Sequence, residues 1–144
     1  MPYRLCHLSG QNGVRSTNDV TERSFQLQRG GQWFKSKSHD TFAPIGPWLV
    51  TPDELPDHDH VDLWLDVNGE RQQAGDTSRM VFKVPYLISY ISRFLRLEPG
   101  DIILTGTLGG VGLSFDPPRF LAPGDRVTLG GTGLGEQNCL CIQG

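Results

Sequence analysis

The segment that most restricts the fold is Val61-Asp62-Leu63-Trp64-Leu65-Asp66-Val67, because apolar and polar residues alternate through it and Asn68-Gly69 follows directly. Period-two alternation marks a strand with one buried face, and Asn-Gly suits a type I′ turn, where both central residues need φ > 0. A β-hairpin is therefore predicted from Val61 through the turn into Glu70 to Gln73. A Pro-Gly-Asp turn occurs twice: Glu98-Pro99-Gly100-Asp101 precedes Ile102-Ile103-Leu104, and Ala122-Pro123-Gly124-Asp125 precedes Arg126-Val127-Thr128-Leu129. Pro fixes φ, Gly allows φ > 0, and an apolar run comes next, so each turn predicts a strand after it. With 18 Gly and 10 Pro in 144 residues, turns and short strands fit better than a helical bundle. The expected class is α+β, mainly β.

Two helices interrupt this pattern. Between Val84 and Leu97, apolar residues recur at Val84, Leu87, Ile88, Ile91, Phe94 and Leu95, and Pro85 suits a first turn. A shorter helix is predicted from about Thr21 to Gln28, with Asp19 or Thr21 near its start and Gly30-Gly31 ending it. Thr41 to Pro56 reads as loop with short extended pieces. The length suits one domain or part of one. A net charge of -3 and a pI near 5.7 provide no basic cluster to attract nucleic acid or an anionic membrane. No apolar run is long enough to span a bilayer and the start, MPYRLCHLSG, lacks the apolar core of a secretory signal. A cytoplasmic location is therefore expected. Cys6, Cys139 and Cys141 stand at no metal-binding spacing and read as reduced thiols.

Three segments could carry chemistry. In Asn18-Asp19-Val20-Thr21-Glu22-Arg23-Ser24-Phe25-Gln26, Asp19 could bind a hard cation, while Arg23 and Gln26, three apart, share a helix face. The plainer alternative makes Asp19 a helix cap and Arg23 a solvated charge. The stretch Gly30 to Phe42 crowds glycines, aromatics and lysines without helical period, so it can hold a lysine against an anionic ligand, or be a surface loop. The third, Leu104-Thr105-Gly106-Thr107-Leu108-Gly109-Gly110-Val111-Gly112, has backbone N–H groups and two hydroxyls able to form an anion nest. It is neither a Walker loop nor a dinucleotide fingerprint. His58-Asp59-His60 reads as a solvated turn, and no nucleophile elbow or triad-like motif is present.

In order, these segments resemble the fumarylacetoacetate hydrolase family. The matching strings are Asn-Asp-Val-Thr-Glu-Arg at 18 to 23, Gly-Gly-Gln-Trp at 30 to 33, Lys-Ser at 37 to 38, and Asp-Thr-Phe-Ala-Pro-Ile-Gly-Pro-Trp-Leu-Val-Thr at 40 to 51. Met80-Val81-Phe82, Pro99-Gly100-Asp101-Ile102, Thr105-Gly106-Thr107, Gly110-Val111-Gly112 and Gly133-Leu134-Gly135-Glu136-Gln137 continue the series. The Gly-Pro-Trp-Leu-Val-Thr and Asp-Pro-Pro-Arg-Phe-Leu stretches look most like the 2,4-diketo-3-deoxy-L-fuconate hydrolase and ureidoglycolate lyase members. The resemblance implies a mixed β-sandwich roll of the family's C-terminal type, a homodimer, and one Mg²⁺ or Mn²⁺ chelating a small 2,4-diketo acid. That metal would stabilise the enolate-like charge that develops as a C–C bond breaks, in a hydrolase or lyase reaction. By motif position, Asp19 would be a metal ligand, Lys37 would stabilise the oxyanion, Arg23 and Gln26 would face substrate, and Thr107 would hold its carboxylate.

The chain departs from the family pattern in ways that set a rival expectation. The family's Glu-x-Glu metal pair is missing: Glu22, Glu54, Glu70, Glu98 and Glu136 are the five glutamates, and none stands two residues from another. One carboxylate with waters holds a hard dication weakly, since several charged oxygens are needed to offset dehydration. Residues 1–16 diverge, 17–137 form the partial catalytic domain, and 138–144 diverge again, so an N-terminally truncated domain is expected. Its edges and apolar surface would be open. The rival expectation is a catalytically inactive scaffold or binding module.

Overall fold

The computed structural model describes residues 13–55 and 57–143. The Asn-Gly hairpin forms its centre. Strand β3 (Asp62–Val67) turns through Asn68 (φ 52°) and Gly69 (φ 82°) into β4 (Glu70–Asp76). Asn68 is used twice beyond its turn. Its side-chain oxygen accepts from the Arg126 N–H at 2.9 Å and its amide donates to Asp125 at 2.8 Å, which ties the turn to the next strand. That strand, β5 (Arg126–Gly131), pairs with β3 on one side and β6 (Gly135–Leu140) on the other, giving the order β4-β3-β5-β6. A second sheet joins β1 (Val14–Thr17) to β2 (Ile45–Val50). Every pairing among the described residues is antiparallel, and the expected α+β, mainly β class holds.

The two sheets are joined by a buried polar contact. Gln137 on β6 donates its amide to the Ser16 carbonyl (3.0 Å), the Ser16 hydroxyl oxygen (3.0 Å) and the Gly46 carbonyl (3.2 Å). The Ser16 hydroxyl in turn donates to Gly46 at 2.7 Å. Beside this link lies a small core in which Val50, Val61 and Leu134 pack with Leu55 and Leu63. Val127 and Leu129 are buried within the larger sheet. Large apolar side chains are exposed far more often than buried among the described residues.

Helix α1 (Arg23–Gln28) starts two residues later than expected because Glu22, not Asp19 or Thr21, caps it: its carboxylate accepts the Ser24 N–H at 2.8 Å. A four-residue helix, α2 (Phe34–Lys37), forms where no helical period was legible. The helix expected over 84–97 is regular only as α3 (Val84–Ile91), after which Phe94 and Leu95 donate back to Ile91 in turns. No α3 residue is buried, so nothing rewards its last turns with packing, and packing is the main source of helix stability in proteins.

The strand expected at Ile102–Leu104 does not form. Its turn does form: Asp101 donates its N–H to Glu98 and its carboxylate accepts the Glu98 N–H at 2.8 Å. The Asp125 turn closes the same way, with Asp125 accepting the Ala122 N–H at 2.7 Å. The two turns differ in what lies beside the next run: β5 has neighbours on both sides, whereas Ile102–Leu104 has none among the described residues. Cys139 and Cys141 are free, as expected, and burial pushes the Cys141 thiol above its ordinary pKa. Cys6 lies outside the described residues.

Candidate functional site

Asp19 follows β1 at a point where the chain is held from both sides. The Asn18 N–H donates to the Pro44 carbonyl (3.1 Å), and the Glu22 N–H donates to the Ser36 carbonyl (2.9 Å), bringing the start of α1 against α2. Because Glu22 supplies the helix cap, the Asp19 carboxylate is left for another partner. That partner is Lys37: its ammonium donates to Asp19 Oδ2 across 18 residues. The side chains are 28% (Lys37) and 39% (Asp19) exposed, so the pair is accessible without being fully solvated. Lys37 Nζ also lies 5.9 Å from the ring centroid of Trp33. The alternative in which Asp19 caps the helix is overturned.

At the start of α1, Arg23 Nη1 donates to Gln26 Oε1 at 2.6 Å. This confirms the shared helix face but leaves the second half of the Gln26 amide unused. Gln26 is 3% exposed, and its Nε2 is buried with no hydrogen-bond partner. His39, whose ring lies between Phe25 and Phe42 at 5.1 and 5.0 Å, likewise has a buried, unpartnered Nε2. Unmade hydrogen bonds of this kind are costly in a folded protein and mark places where a ligand can supply the missing partner. Glu22 titrates below its ordinary value, first because of the hydrogen bonds from Ser24 and secondarily through its nearness to His39.

Thr107 is held by a different element, β4. Gln73 on β4 donates its amide to the Thr107 hydroxyl oxygen (3.1 Å), the Leu108 carbonyl (3.0 Å) and, more weakly, the Gly109 carbonyl (3.5 Å). With its oxygens pulled towards the sheet, the turn has backbone N–H groups from Thr105 to Gly110 that make no hydrogen bond among the described residues. These groups are available to an anion. Gly110, at φ 95°, lies so close to the Gln72 carbonyl that a Cβ could not be accommodated. No hydrogen bond or ion pair among the described residues joins Thr107 to Asp19, Arg23, Gln26 or Lys37. Gln73 escaped sequence reasoning because only the register of β4, which sets it opposite Leu65, reveals it.

The donor set does not fit a hard divalent metal. Asp19 is a single carboxylate already engaged by an ammonium, and no group of three or more His, Cys, Asp or Glu able to hold a metal ion occurs among the described residues. Mg²⁺ and Mn²⁺ need several oxygen ligands at once. His58-Asp59-His60 forms no such group either: Asp59 pairs with Lys83 at 3.4 Å and His60 faces Asp76 at 4.0 Å.

The fold and the sequence together define a class. The sequence model for the fumarylacetoacetate hydrolase C-terminal region matches residues 12–140, and the chain belongs to that family. A protein of Burkholderia ambifaria, named as a putative hydrolase, is 57% identical over 126 residues, which are 87% of this chain and 45% of the relative. The fumarylacetoacetate hydrolase of Exiguobacterium antarcticum superposes with a TM-score of 0.87 at 38% identity, covering 92% of this chain and 47% of that one. The 2-hydroxyhepta-2,4-diene-1,7-dioate isomerase of Mycobacterium marinum superposes at 0.79 and 38% identity, over 90% of this chain and 47% of that one. This chain thus spans about half the length of the relatives it matches. No helix among the described residues is long and apolar enough to cross a membrane.

Proposed function

We propose that this chain contributes the oxyanion-stabilising and carboxylate-holding groups of an enzyme that cleaves a C–C bond in a 2,4-diketo acid of the acylpyruvate type. The observation that carries the reading is the Asp19–Lys37 pair, an ammonium fixed by a partly exposed carboxylate, with α2 tied through the Glu22 N–H to the start of the helix that bears Arg23 and the unsatisfied Gln26 amide. Cleavage leaves electrons on the oxygen of the departing enolate. An ammonium preset at that point stabilises the charge without having to reorganise. Asp19 keeps Lys37 in place. Arg23, braced by Gln26, adds a second cation facing the substrate, while Thr107 and the free amides of its turn hold the carboxylate. The Mg²⁺ or Mn²⁺ implied by the family resemblance would require carboxylates beyond those the described residues bring together, and none of these steps runs through it. Relatives that include a hydrolase and an isomerase support enolate chemistry in general.

The test is acylpyruvate cleavage, followed by loss of the enol absorbance. Lys37→Met should lower kcat/KM by about 100-fold or more, the usual scale for removing one oxyanion donor, with unchanged circular dichroism. A second reading, a scaffold without catalysis, draws on the donor set that does not fit a metal. Cleavage that Asp19→Ala abolishes would reject the scaffold. A pure, folded chain without any cleavage would reject activity for this polypeptide on its own, and Lys37→Met with unchanged kcat/KM would reject the oxyanion role.

A further inference from the structure

Strand β4 carries an extra residue beside the glycine-rich turn. Across the hairpin Leu65 faces Gln73 and Asp66 faces Arg71, so Gln72 is the inserted residue of a β-bulge. Bulges bend a strand and re-aim the side chains next to them. The turn docks on this stretch: Gly110 lies against the Gln72 carbonyl, Leu108 packs on Gly75, and between them the Gln73 amide reaches the Thr107 hydroxyl oxygen (3.1 Å) and the Leu108 carbonyl (3.0 Å). Carbonyls only accept, so the end of the Gln73 side chain that meets them is its NH₂ group, with one hydrogen for Leu108 and one for Thr107. The nitrogen lone pair of an amide is delocalised and accepts nothing, so the Thr107 hydroxyl receives from Gln73 and does not donate to it. That hydroxyl is exposed and donates to no described residue. Its proton is left for the open side of the turn, where the backbone N–H groups from Thr105 to Gly110 are also unused.

We infer that Gln73 is a positioning residue that sets the specificity of this turn: by filling an acceptor site of the Thr107 oxygen it fixes the hydroxyl as a donor, so that the turn takes a group that only accepts, an ionised carboxylate, and disfavours the matching carboxamide. The inference rests on the reading that Thr107 and its turn hold the substrate carboxylate, and it names the residue that dictates that choice. A threonine hydroxyl left to itself would discriminate poorly, because it rotates to donate or to accept as its partner requires. With Gln73 in place, the NH₂ of a carboxamide meets an O–H and backbone N–H groups, all donors, and an unpaired polar contact of this kind is what rejects a near-identical ligand.

The test uses pyruvate and pyruvamide, which share a keto group and differ only in carboxylate against carboxamide, titrated into the 144-residue chain and read from the NMR shifts of amides 105–110. Pyruvate should bind about 10-fold more tightly or better, the scale of one hydrogen bond to a charged group. Gln73→Met keeps the length and removes the donor; it should tighten pyruvamide about fivefold, because the released hydroxyl then accepts from its NH₂. A merely structural role for Gln73 would instead weaken both ligands. Gln73→Glu, whose carboxylate draws the Thr107 proton to itself, should turn the preference towards pyruvamide. Repeating both variants in a Thr107→Val background removes the hydroxyl and leaves the effects of charge and turn shape: there Gln73→Met should not change the ratio, whereas Thr107→Ser, which keeps the hydroxyl, should keep the original ratio. Equal weakening of both ligands by Gln73→Met, or effects of Gln73→Met and Gln73→Glu that are the same with and without the Thr107 hydroxyl, would overturn the inference alone. Amides 105–110 that move with neither ligand in the unmodified chain would overturn the carboxylate-holding reading along with it.

Discussion

Replacing Gln137 by Leu tests whether one buried amide holds the two sheets together. The side chain is 9% exposed and its Nε2 serves three oxygens, on Ser16 and Gly46. Leucine fills similar space and donates nothing. The Gly46 carbonyl keeps the Ser16 hydroxyl at 2.7 Å, so the main casualty is the Ser16 carbonyl, which loses this donor in a site that water does not reach. A net hydrogen bond contributes about 1 kcal/mol and a stranded buried acceptor costs roughly a further 1–2 kcal/mol, for a loss of about 2–3 kcal/mol. At this chain length that corresponds to a fall in Tm of roughly 8–12 °C. Gln137→Glu should cost more, because a carboxylate would face two carbonyls and a hydroxyl whose proton already goes to Gly46, and its penalty should shrink as the pH is lowered. Urea and thermal denaturation with circular dichroism measure both. A Gln137→Leu loss below about 0.5 kcal/mol, within the range of ordinary surface substitutions, would refute the reasoning, because the sheets would then be held by packing alone.

Glu22→Ala removes the α1 cap and should cost about 1 kcal/mol, read by urea titration. The Glu22 carboxyl is held below its ordinary value of 4.5 by the hydrogen bonds from Ser24; its contribution is therefore complete above that value and lost as the pH falls through the lowered one, and Glu22→Gln should flatten this part of the acid-unfolding curve. Asn68→Gly keeps the turn's positive φ but takes from Asp125 the main partner that lowers its pKa, so NMR titration should find Asp125 moving up towards its ordinary value. Gly110→Ala meets the Gln72 carbonyl as well as a positive φ, whereas Gly106→Ala (φ 114°) meets open space. The second should cost about 1–3 kcal/mol from backbone strain alone and the first distinctly more, measured as paired thermal melts.

The features legible in the sequence are those that depend on local chemistry. Asn68-Gly69 specifies its own turn, and the alternation before it specifies a face, so the hairpin was legible; β4 runs on from Gln73 to Asp76 because β3 extends beside it that far. Both Pro-Gly-Asp turns form for the reason that made them legible, the aspartate closing on the backbone N–H three residues before it. The conformation after a turn is decided by neighbours, and this is why Arg126 begins a strand and Ile102 does not. The Asp19–Lys37 pair spans 18 residues, a distance no periodicity encodes. The ordered motifs single out both residues but give Asp19 a metal; that its carboxylate takes the Lys37 ammonium depends on Glu22, which supplies the helix cap in its place. Gln73 and the unsatisfied atoms of Gln26 and His39 leave no mark in sequence, because a glutamine in a strand or a histidine in a loop is ordinary until its surroundings are known.

The three oxygens gripped by Gln73 mean that the glycine-rich turn is suspended from a strand by a side chain rather than woven into a ladder of its own. Its stiffness is then inherited: the jitter of the Thr107 hydroxyl follows the twisting of the hairpin, not the looseness of the surrounding glycines. Shear between β3 and β4 would reach that hydroxyl through the Gln73 amide, backed by the close approach of Gly110 to the Gln72 carbonyl and of Leu108 to Gly75.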